Sequence, residues 1–179
     1  MHVRDADPER DAHACASIYA PYVRDTAISF EYEPPSPHQM AERMRTAYVW
    51  LVAHASSPEG EDERVVGYAY GSRHQQRAAY RWAADVAIYI DRGHHRAGVG
   101  RALYARLFER LRDVGLWTLC AGVTQPNAAS DGLHRMMGFT EVGVYRRIGW
   151  KAGAWQDVRW WQLDLRPDES GPPQPELEL

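Results

Sequence analysis

The chain has 179 residues, which is the length of one ordinary domain, and its composition is that of a folded protein. Hydrophobic residues make up 45% and charged residues 25%, with 7 Trp, 10 Tyr and 3 Phe, which excludes a chain disordered throughout. The formal net charge of -3 leaves no basic excess that would favour nucleic acid or an anionic membrane as partner.

Two further features of the sequence concern membrane insertion and the state of the cysteines. The longest apolar stretch, Ala47–Ala53, is far too short to span a bilayer, and residues 1–5 have no apolar secretory core. Cys15 and Cys120 form neither a disulfide framework nor a metal-binding spacing, so we expect them to be reduced core residues. These features predict a cytoplasmic protein.

The first predicted elements are a strand and a helix. A short strand is expected around Val3. Asp7 suits the N-cap and Pro8 the first helical position, so a helix begins there. Pro21 lacks an N–H and is expected to kink or end this helix, and Ala27–Glu31 is expected to be extended.

A second helix and a hairpin follow. The capping-box pattern at Ser36–Gln39 predicts a helix that runs to about Ala47. Val49–His54 and Val65–Ser72 are apolar runs typical of strands, and the acidic segment Pro58–Glu63 between them predicts a solvated turn.

The second half contains a strand–loop–helix unit and further strands. Ala84–Ile90 predicts a strand, and an amphipathic helix begins near Gly98 and ends before Gly115. The other expected elements are strands at Trp117–Val123, Glu141–Arg146 and Val158–Leu165 and a helix from Asn127 to Met137. This mixture indicates one α/β domain over residues 1–166, followed by a Pro- and acid-rich irregular tail at 167–179.

The loop between the strand and the helix carries the chemistry. Spaced glycines let a backbone approach a phosphate, and the N-terminus of the helix offers unpaired N–H groups. Arg96 and Arg101 add positive charge. The pattern is neither the dinucleotide fingerprint, because Leu103 occupies its third glycine position, nor a P-loop. The alternative is a surface loop whose glycines serve only a tight turn.

Residues 87–104 resemble motif A of the GNAT acyltransferases, in which an x-x-Gly-x-Gly/Ala loop after the fourth strand binds the diphosphate of acetyl-CoA. His95 stands where that pattern usually begins with Gln or Arg. Asn127 and the run from Leu133 to Phe139 resemble motif B, in which an Asn opens a helix and Gly-Phe ends it.

The resemblance covers roughly Val3–Pro167 and looks like that of the phosphinothricin N-acetyltransferase branch, whose members acetylate the amine of glutamate-like phosphinates and methionine sulfoximine. The residues that carry it are Phe30, Ala79–Trp82, Asp85–Ile90, Arg96–Tyr104, Gln125–Asn127, His134, Gly149–Val158 and Trp161–Asp164. It implies a GNAT fold: a mixed, largely antiparallel twisted sheet flanked by helices, with the fourth and fifth strands splayed to admit the pantetheine arm.

The resemblance also implies acetyl-CoA as cosubstrate. The residues expected to bind it are Ile88, Tyr89, Ile90, Arg96, Ala97, Gly98, Val99, Gly100, Arg101 and Asn127. No metal is expected, because no carboxylate or cysteine completes a ligand set at metal spacing with the histidines of the loop.

Two residues are candidates for catalysis, since an ammonium must lose a proton before it attacks a thioester. Asp85 stands where the resembling enzymes carry a catalytic Glu, and His134 stands where the branch has His and many GNAT enzymes have a Tyr that protonates coenzyme A. Which of the two is the principal base stays open, and a solvated or N–H-capping Asp at a strand start is the alternative for Asp85.

The expected acceptor-binding residues are Phe30, Arg77, Tyr80, Tyr89 and Tyr104. The Lys that the resembling enzymes carry two residues before the anion-contacting Arg is Gln75 here, and the nearby Arg73 and His74 could compensate for the lost charge.

The resemblance thus implies an N-acetyltransferase that acts on the α-amine of a small amino-acid analogue of the phosphinothricin, methionine sulfoximine or methionine sulfone type, by direct attack in a ternary complex. The alternatives are another small amine acceptor or a non-catalytic acyl-CoA-binding module. A homodimer is expected, because the resembling enzymes are dimers and this chain has much aromatic surface at Trp150, Trp155, Trp160 and Trp161.

Overall fold

A computed structural model describes residues 1–55 and 64–171. The acidic turn at Pro58–Glu63 and residues 172–179 of the predicted tail lie outside the described residues. The strands are β1 (His2–Asp5), β2 (Val49–Ala55), β3 (Arg64–Arg73), β4 (Ala83–Ile90), β5 (Thr118–Thr124), β6 (Thr140–Lys151) and β7 (Ala154–Asp164). The helices are α1 (Pro8–Asp25), α2 (Pro37–Thr46), α3 (Val99–Asp113) and α4 (Ala128–Met136), with short 3₁₀ turns at Ala78–Tyr80 and Arg92–His94.

The described strands form one sheet in the order β1-β2-β3-β4-β5-β7-β6. All neighbouring strands are antiparallel except β4 and β5. The predicted fold class, a mixed and largely antiparallel sheet flanked by helices, is therefore confirmed.

The parallel pair β4–β5 is interrupted after three residues. Its register joins Ala83 with Thr118, Ala84 with Leu119 and Asp85 with Cys120, and no pairing follows. From there β4 stays with β3, while β5 stays paired with β7 as far as Thr124. The predicted splay of the fourth and fifth strands is confirmed, and among residues 1–55 and 64–171 it leaves one edge of each strand without a strand partner.

Two hydrophobic cores cover the faces of the sheet. On one face, Leu103, Leu107 and Leu111 of α3 are fully buried against alternate residues of the central strands. On the other, α1 and α2 pack against β2 and β3 around Cys15, Met40 and other buried side chains. Helix capping follows the sequence: Asp7 caps α1, and Ser36 and Gln39 form both bonds of a capping box at α2.

The structure contradicts two local expectations, an end of α1 at Pro21 and an extended Ala27–Glu31, whereas a kink at Pro21 stays a prediction. α1 continues past Pro21 to Asp25, because the carbonyl that proline leaves unbonded belongs to the exposed Ser17, where water can bond it, while buried residues such as Tyr19 and Val23 hold the helix on the core. Ala27–Glu31 forms no strand; it is part of an irregular segment between α1 and α2.

The structure also bears on the expectations about membrane spans and cysteines. No helix in the described parts of the chain is long and apolar enough to cross a membrane. Cys15 is buried and Cys120 half-buried, and both are free thiols.

The last two strands, β6 and β7, are longer than their patterns predicted.

Glycine positions provide a test of how tightly α3 packs on the sheet. A Cβ at Gly71 of β3 would lie 2.7 Å from Cδ2 of the buried Leu111, whereas a Cβ at Gly132 of α4 meets nothing within 4 Å. Gly71→Ala should lower the free energy of unfolding by about 1–3 kcal/mol through overpacking. Gly132→Ala should raise it by up to about 1 kcal/mol, because alanine favours a helix. Urea denaturation of both variants measures the two effects, and equal shifts of one sign would contradict this packing.

Candidate active site

A cavity opens where β4 and β5 separate. Val86–Tyr89 of β4 and Ala121–Thr124 of β5 form two of its walls. Tyr104 of α3, Ser130 and His134 of α4, the α4 N-cap Asn127, and Ile28 of the segment after α1 complete the lining. The site is therefore built by the interrupted strand pairing and lies between the two cores.

The loop before α3 has the geometry of an anion site. Gly98 is the N-cap with φ of 80°, a left-handed conformation that favours glycine, and a Cβ there would meet nothing within 4 Å. The first backbone bond of α3 runs from the N–H of Ala102 to the carbonyl of Gly98, so the preceding N–H groups have no intrahelical partner. Arg96 and Arg101 are exposed, and residues 96–101 include no acidic side chain, so a diphosphate fits this loop.

Gly100 serves a different purpose from Gly98. It is buried, and a Cβ there would lie 3.2 Å from Leu133 of α4 and 3.3 Å from Ile90 of β4. The second glycine of the motif thus allows α3 to lie close to α4 and β4. Val99 is buried in the core, and Ala97 is exposed beside the open loop.

Side chains of β4 alternate between the two faces of the sheet. Ile88 and Ile90 pack against the α3 core, whereas Tyr89 packs on the opposite face with its ring centre 4.6 Å from that of Tyr19. The carbonyl of Ile90 accepts a hydrogen bond of 2.6 Å from the hydroxyl of Tyr22. Nε2 of His95 lies 3.0 Å from that hydroxyl, so the residue that departs from the motif joins the loop to the end of α1.

Asp85 lies at the point where the strands part. Its Oδ1 is 2.7 Å from Nδ1 of His74, the first residue after β3. Burial raises the pKa of Asp85, and the hydrogen bond from His74 opposes that effect. The next residue of β4, Val86, lines the cavity.

A cluster of titratable side chains surrounds Asp85. Potential ligand atoms of His74, Asp85 and Cys120 all lie within 4.8 Å of one another, although these residues are far apart in the chain. The register of β3, β4 and β5 brings the three together, and their spacing along the chain does not reveal it. Burial, with a contribution from Asp85, raises the pKa of the Cys120 thiol to about 11, so this thiol is protonated near neutral pH.

His134 is buried on α4 and has both ring nitrogens engaged. Nδ1 lies 2.7 Å from the backbone carbonyl of Ser130, which can only accept, so Nδ1 carries the hydrogen. Nε2 lies 3.1 Å from the hydroxyl of Tyr104 and accepts from it. Burial lowers the pKa of His134 and raises that of Tyr104. Near neutral pH the imidazole is therefore a proton acceptor, and the tyrosine remains a donor.

A buried carboxylate fixes α4 against the sheet. Asp131 accepts hydrogen bonds of 3.2 Å from both the Trp161 indole and the Gln125 amide, and it forms an ion pair with Arg159. Asn127 caps the helix by accepting from the Ser130 N–H at 3.1 Å, and it also lines the cavity. The sequence analysis missed Asp131, since no local pattern distinguishes it from a solvated acidic residue in a first helical turn.

The expected acceptor-binding residues divide into two groups. Tyr89 and Tyr104 line the cavity, whereas Phe30, Arg77 and Tyr80 do not. Tyr80 reaches the site indirectly, because its ring meets the edge of His74 with centres 5.9 Å apart. Arg77 is exposed just before the first 3₁₀ turn.

Phe30 belongs to the segment between α1 and α2, which is tied to the last hairpin. Its ring fills the place that a Cβ on Gly149 would take. The buried Lys151 donates to the backbone carbonyl of Glu31, and the Glu31 carboxylate receives two bonds from Arg43, at 2.7 and 2.8 Å. These contacts fix the segment that supplies Ile28 to the cavity.

Comparison with known proteins supports a function for this geometry. Residues 6–160 match the family described as acetyltransferase (GNAT) domain. The chain is 33% identical to a phosphinothricin N-acetyltransferase of Streptomyces coelicolor over 165 residues, covering 88% of this chain and 92% of that protein. It is 34% identical over 177 residues to an L-methionine sulfoximine/L-methionine sulfone acetyltransferase of Salmonella typhimurium, covering 97% and 98% of the two chains.

A solved structure agrees in fold. The phosphinothricin acetyltransferase of Sinorhizobium meliloti, determined in complex with acetyl-CoA, superposes with a TM-score of 0.86 at 30% identity and covers 97% of this chain and 93% of that one.

The loop before α3 can be tested with two nearly isosteric substitutions. Gly98→Asp should lower the affinity for coenzyme A at least about 100-fold, because it places an anion where the diphosphate would lie. Gly98→Asn tolerates the same left-handed backbone without adding charge and should retain most of the affinity. Calorimetry with coenzyme A measures both, and unchanged affinity in a folded Gly98→Asp variant would contradict this site.

Proposed function

The chain belongs to the GNAT acetyltransferase family, and we propose that it moves the acetyl group of acetyl-CoA to the α-amine of a small amino-acid analogue of the phosphinothricin, methionine sulfoximine or methionine sulfone type. The observation that carries this proposal is the cavity between β4 and β5, with an anion-binding loop beside it and Asp85 where the strands part. The names of relatives that match nearly the whole chain support the class of acceptor.

Acetyl-CoA fits three features of the described residues. The free N–H groups at the start of α3, with Arg96 and Arg101, hold the diphosphate. The edge of β4 beyond Asp85, which has no strand partner, receives the pantetheine arm at Ile88–Ile90, and Asn127 lies on the opposite wall. When bound, acetyl-CoA supplies an activated carbonyl carbon for the amine.

The side chains around the cavity assist the proton transfers of the reaction. Asp85 promotes loss of a proton from the acceptor's ammonium, either by accepting it, which the burial that raises its pKa favours, or by stabilising a neighbouring group that accepts it. His134 is a neutral acceptor that orients the Tyr104 hydroxyl and can assist as a second base. Burial raises the pKa of Cys15 to about 12 and that of Cys120 to about 11, which favours direct attack over an acyl-enzyme on either thiol.

Specificity for the acceptor is assigned to four aromatic residues and one arginine in and around the cavity. Tyr89 and Tyr104 contact the acceptor inside the cavity, and Phe30, Arg77 and Tyr80 act at its outer edge. Gln75 gives no positive charge to a tetrahedral anion, so the neutral methionine sulfone and methionine sulfoximine are favoured over phosphinothricin.

Residues 1–166 are proposed to form a single acetyltransferase domain and residues 167–179 an irregular tail, because both cores share one sheet. The domain is proposed to work in the cytoplasm, where thiols stay reduced, and to detoxify such analogues as a resistance enzyme.

The enzyme is also proposed to be a homodimer. Trp150 and Trp155 at the β6–β7 turn are 52% and 50% exposed, and Tyr145 and Ile148 of β6 are exposed as well. Such aromatic surface is typical of an interface. By contrast, Trp161 is buried in the core and contributes nothing to this surface.

The dimer has a direct test. Sedimentation velocity at micromolar concentration should give a dimer for the wild type and a monomer for the double variant Trp150→Glu/Trp155→Glu, because two buried carboxylates would oppose association. A wild type that sediments as a monomer would contradict the proposal.

The reaction is tested with the purified chain, acetyl-CoA and a panel of amines, by measuring the free thiol released. Methionine sulfone and methionine sulfoximine should be turned over. Asp85→Asn keeps the size and removes the charge, and should lower kcat/KM about 10²-fold, with a comparable loss for His134→Ala.

The matched control is Asp113→Asn, which removes an exposed carboxylate at the end of α3 and should leave turnover unchanged. Full activity in Asp85→Asn with none in His134→Ala would make His134 the sole base. If only other small amines are turned over, the proposed class of acceptor is wrong and one of those amines is the acceptor. If coenzyme A binds but no amine is turned over, the chain is a non-catalytic acyl-CoA-binding module.

A further inference from the structure

The residue that contacts the proposed base is His74, for which the sequence suggested only an anion-binding role. It follows the last residue of β3, and the antiparallel register of β3 with β4 pairs Ser72 with Asp85 and Arg73 with Ala84. His74 is thereby carried to the start of β4. Its Nδ1 lies 2.7 Å from Oδ1 of Asp85.

The hydrogen bond between the two residues determines which atom of the pair can take a proton. An ionised carboxylate only accepts, so Nδ1 of His74 carries the hydrogen and Nε2 keeps its lone pair. Nε2 has no hydrogen-bond partner in residues 1–55 and 64–171, and it is not enclosed. The free acceptor of the pair is thus the imidazole nitrogen that points away from Asp85.

Three neighbours hold the imidazole in one orientation. Besides Asp85, the Tyr80 ring meets it edge-on at 5.9 Å and the Trp160 indole at 6.4 Å. Cys120, whose sulfur also lies near the pair, is a protonated thiol near neutral pH. The side chain of His74 is 21% exposed, so a ligand can reach it.

The surroundings connect His74 with the cavity. Trp160 of β7 pairs with Gly122 of β5, and a Cβ on Gly122, which lines the cavity, would lie 3.4 Å from the indole ring. The buried Nε1 of Trp160 has no partner within the described residues. A polar ligand bound here would accept a hydrogen bond from Nε1 of Trp160 and donate one to Nε2 of His74.

We propose that His74 takes the proton from the acceptor's ammonium, while Asp85 holds the Nδ1–H of the imidazole and stabilises the imidazolium that forms. The proposal rests on the acetyl transfer proposed above. An N–H bond of the ammonium breaks and its proton goes to Nε2. The amine lone pair then forms the C–N bond to the acetyl carbon as the C–S bond breaks. The second nitrogen proton ends on the coenzyme A sulfur, and His74 returns its proton to water.

Two substitutions separate a base from a residue that only positions Asp85. His74→Asn keeps an N–H near the place of Nδ1 and removes the acceptor Nε2, whereas His74→Ala removes both. With methionine sulfone and acetyl-CoA, both variants should lose about 10²-fold in kcat/KM. Added imidazole should restore part of the activity of His74→Ala, and the rise of kcat/KM with pH should move toward the pKa of the free amine in both variants. Cys120→Ser, beside the pair but outside it, should retain wild-type kinetics.

The outcomes separate the two proposals. If His74→Asn stays within about tenfold of the wild type while His74→Ala is inactive and imidazole restores nothing, His74 only positions Asp85 and the inference fails. If the wild type turns over no amine of the panel, the acetyl transfer fails and takes the His74 assignment with it. Calorimetric affinity for coenzyme A, which His74 should not affect, shows that each variant is folded.

Discussion

The site depends on one interruption of backbone pairing, the end of the β4–β5 ladder after Asp85 and Cys120. Each strand keeps a partner on its other side, β3 for β4 and β7 for β5, so the gap costs the sheet only the hydrogen bonds of a few residues. The gap creates the cavity, leaves an open strand edge near the loop before α3, and places Asp85 at the point where the strands part. A side chain one register position further along would lie within the gap.

Burial determines which of the titratable side chains around this gap carry a proton. It keeps the imidazole of His134 neutral and the Tyr104 hydroxyl protonated, and it keeps the thiols of Cys15 and Cys120 in the unreactive form. The Asp85 carboxyl is less buried and bonded to an imidazole. The surroundings of the gap therefore differ: His134 and Tyr104 form a donor–acceptor pair inside the fold, whereas Asp85, at the start of the gap, is a partly exposed carboxyl bonded to an imidazole.

Features set by neighbouring residues could be predicted from the sequence, and features set by strand register could not. Asp7, Ser36 and Asn127 cap their helices as expected, and Gly98 adopts the left-handed conformation that its place before α3 requires. These effects span a few residues and follow from backbone hydrogen bonding. The contact of His74 with Asp85 and the bonds of Trp161 and Arg159 to Asp131 join separate strands or a helix and a strand, so no local pattern contains them. Continuation of α1 past Pro21 also depends on tertiary packing, which outweighs the local cost of proline.

The contact of Phe30 with Gly149 has a consequence for how this sequence can drift over evolutionary time. Any side chain at position 149 would meet the Phe30 ring, and a smaller residue at position 30 would leave a gap beside the β6–β7 hairpin. Each change is harmful alone, and a larger residue at 149 becomes acceptable only after position 30 has shrunk. In alignments of close homologues the two columns should therefore vary together, although more than a hundred residues separate them.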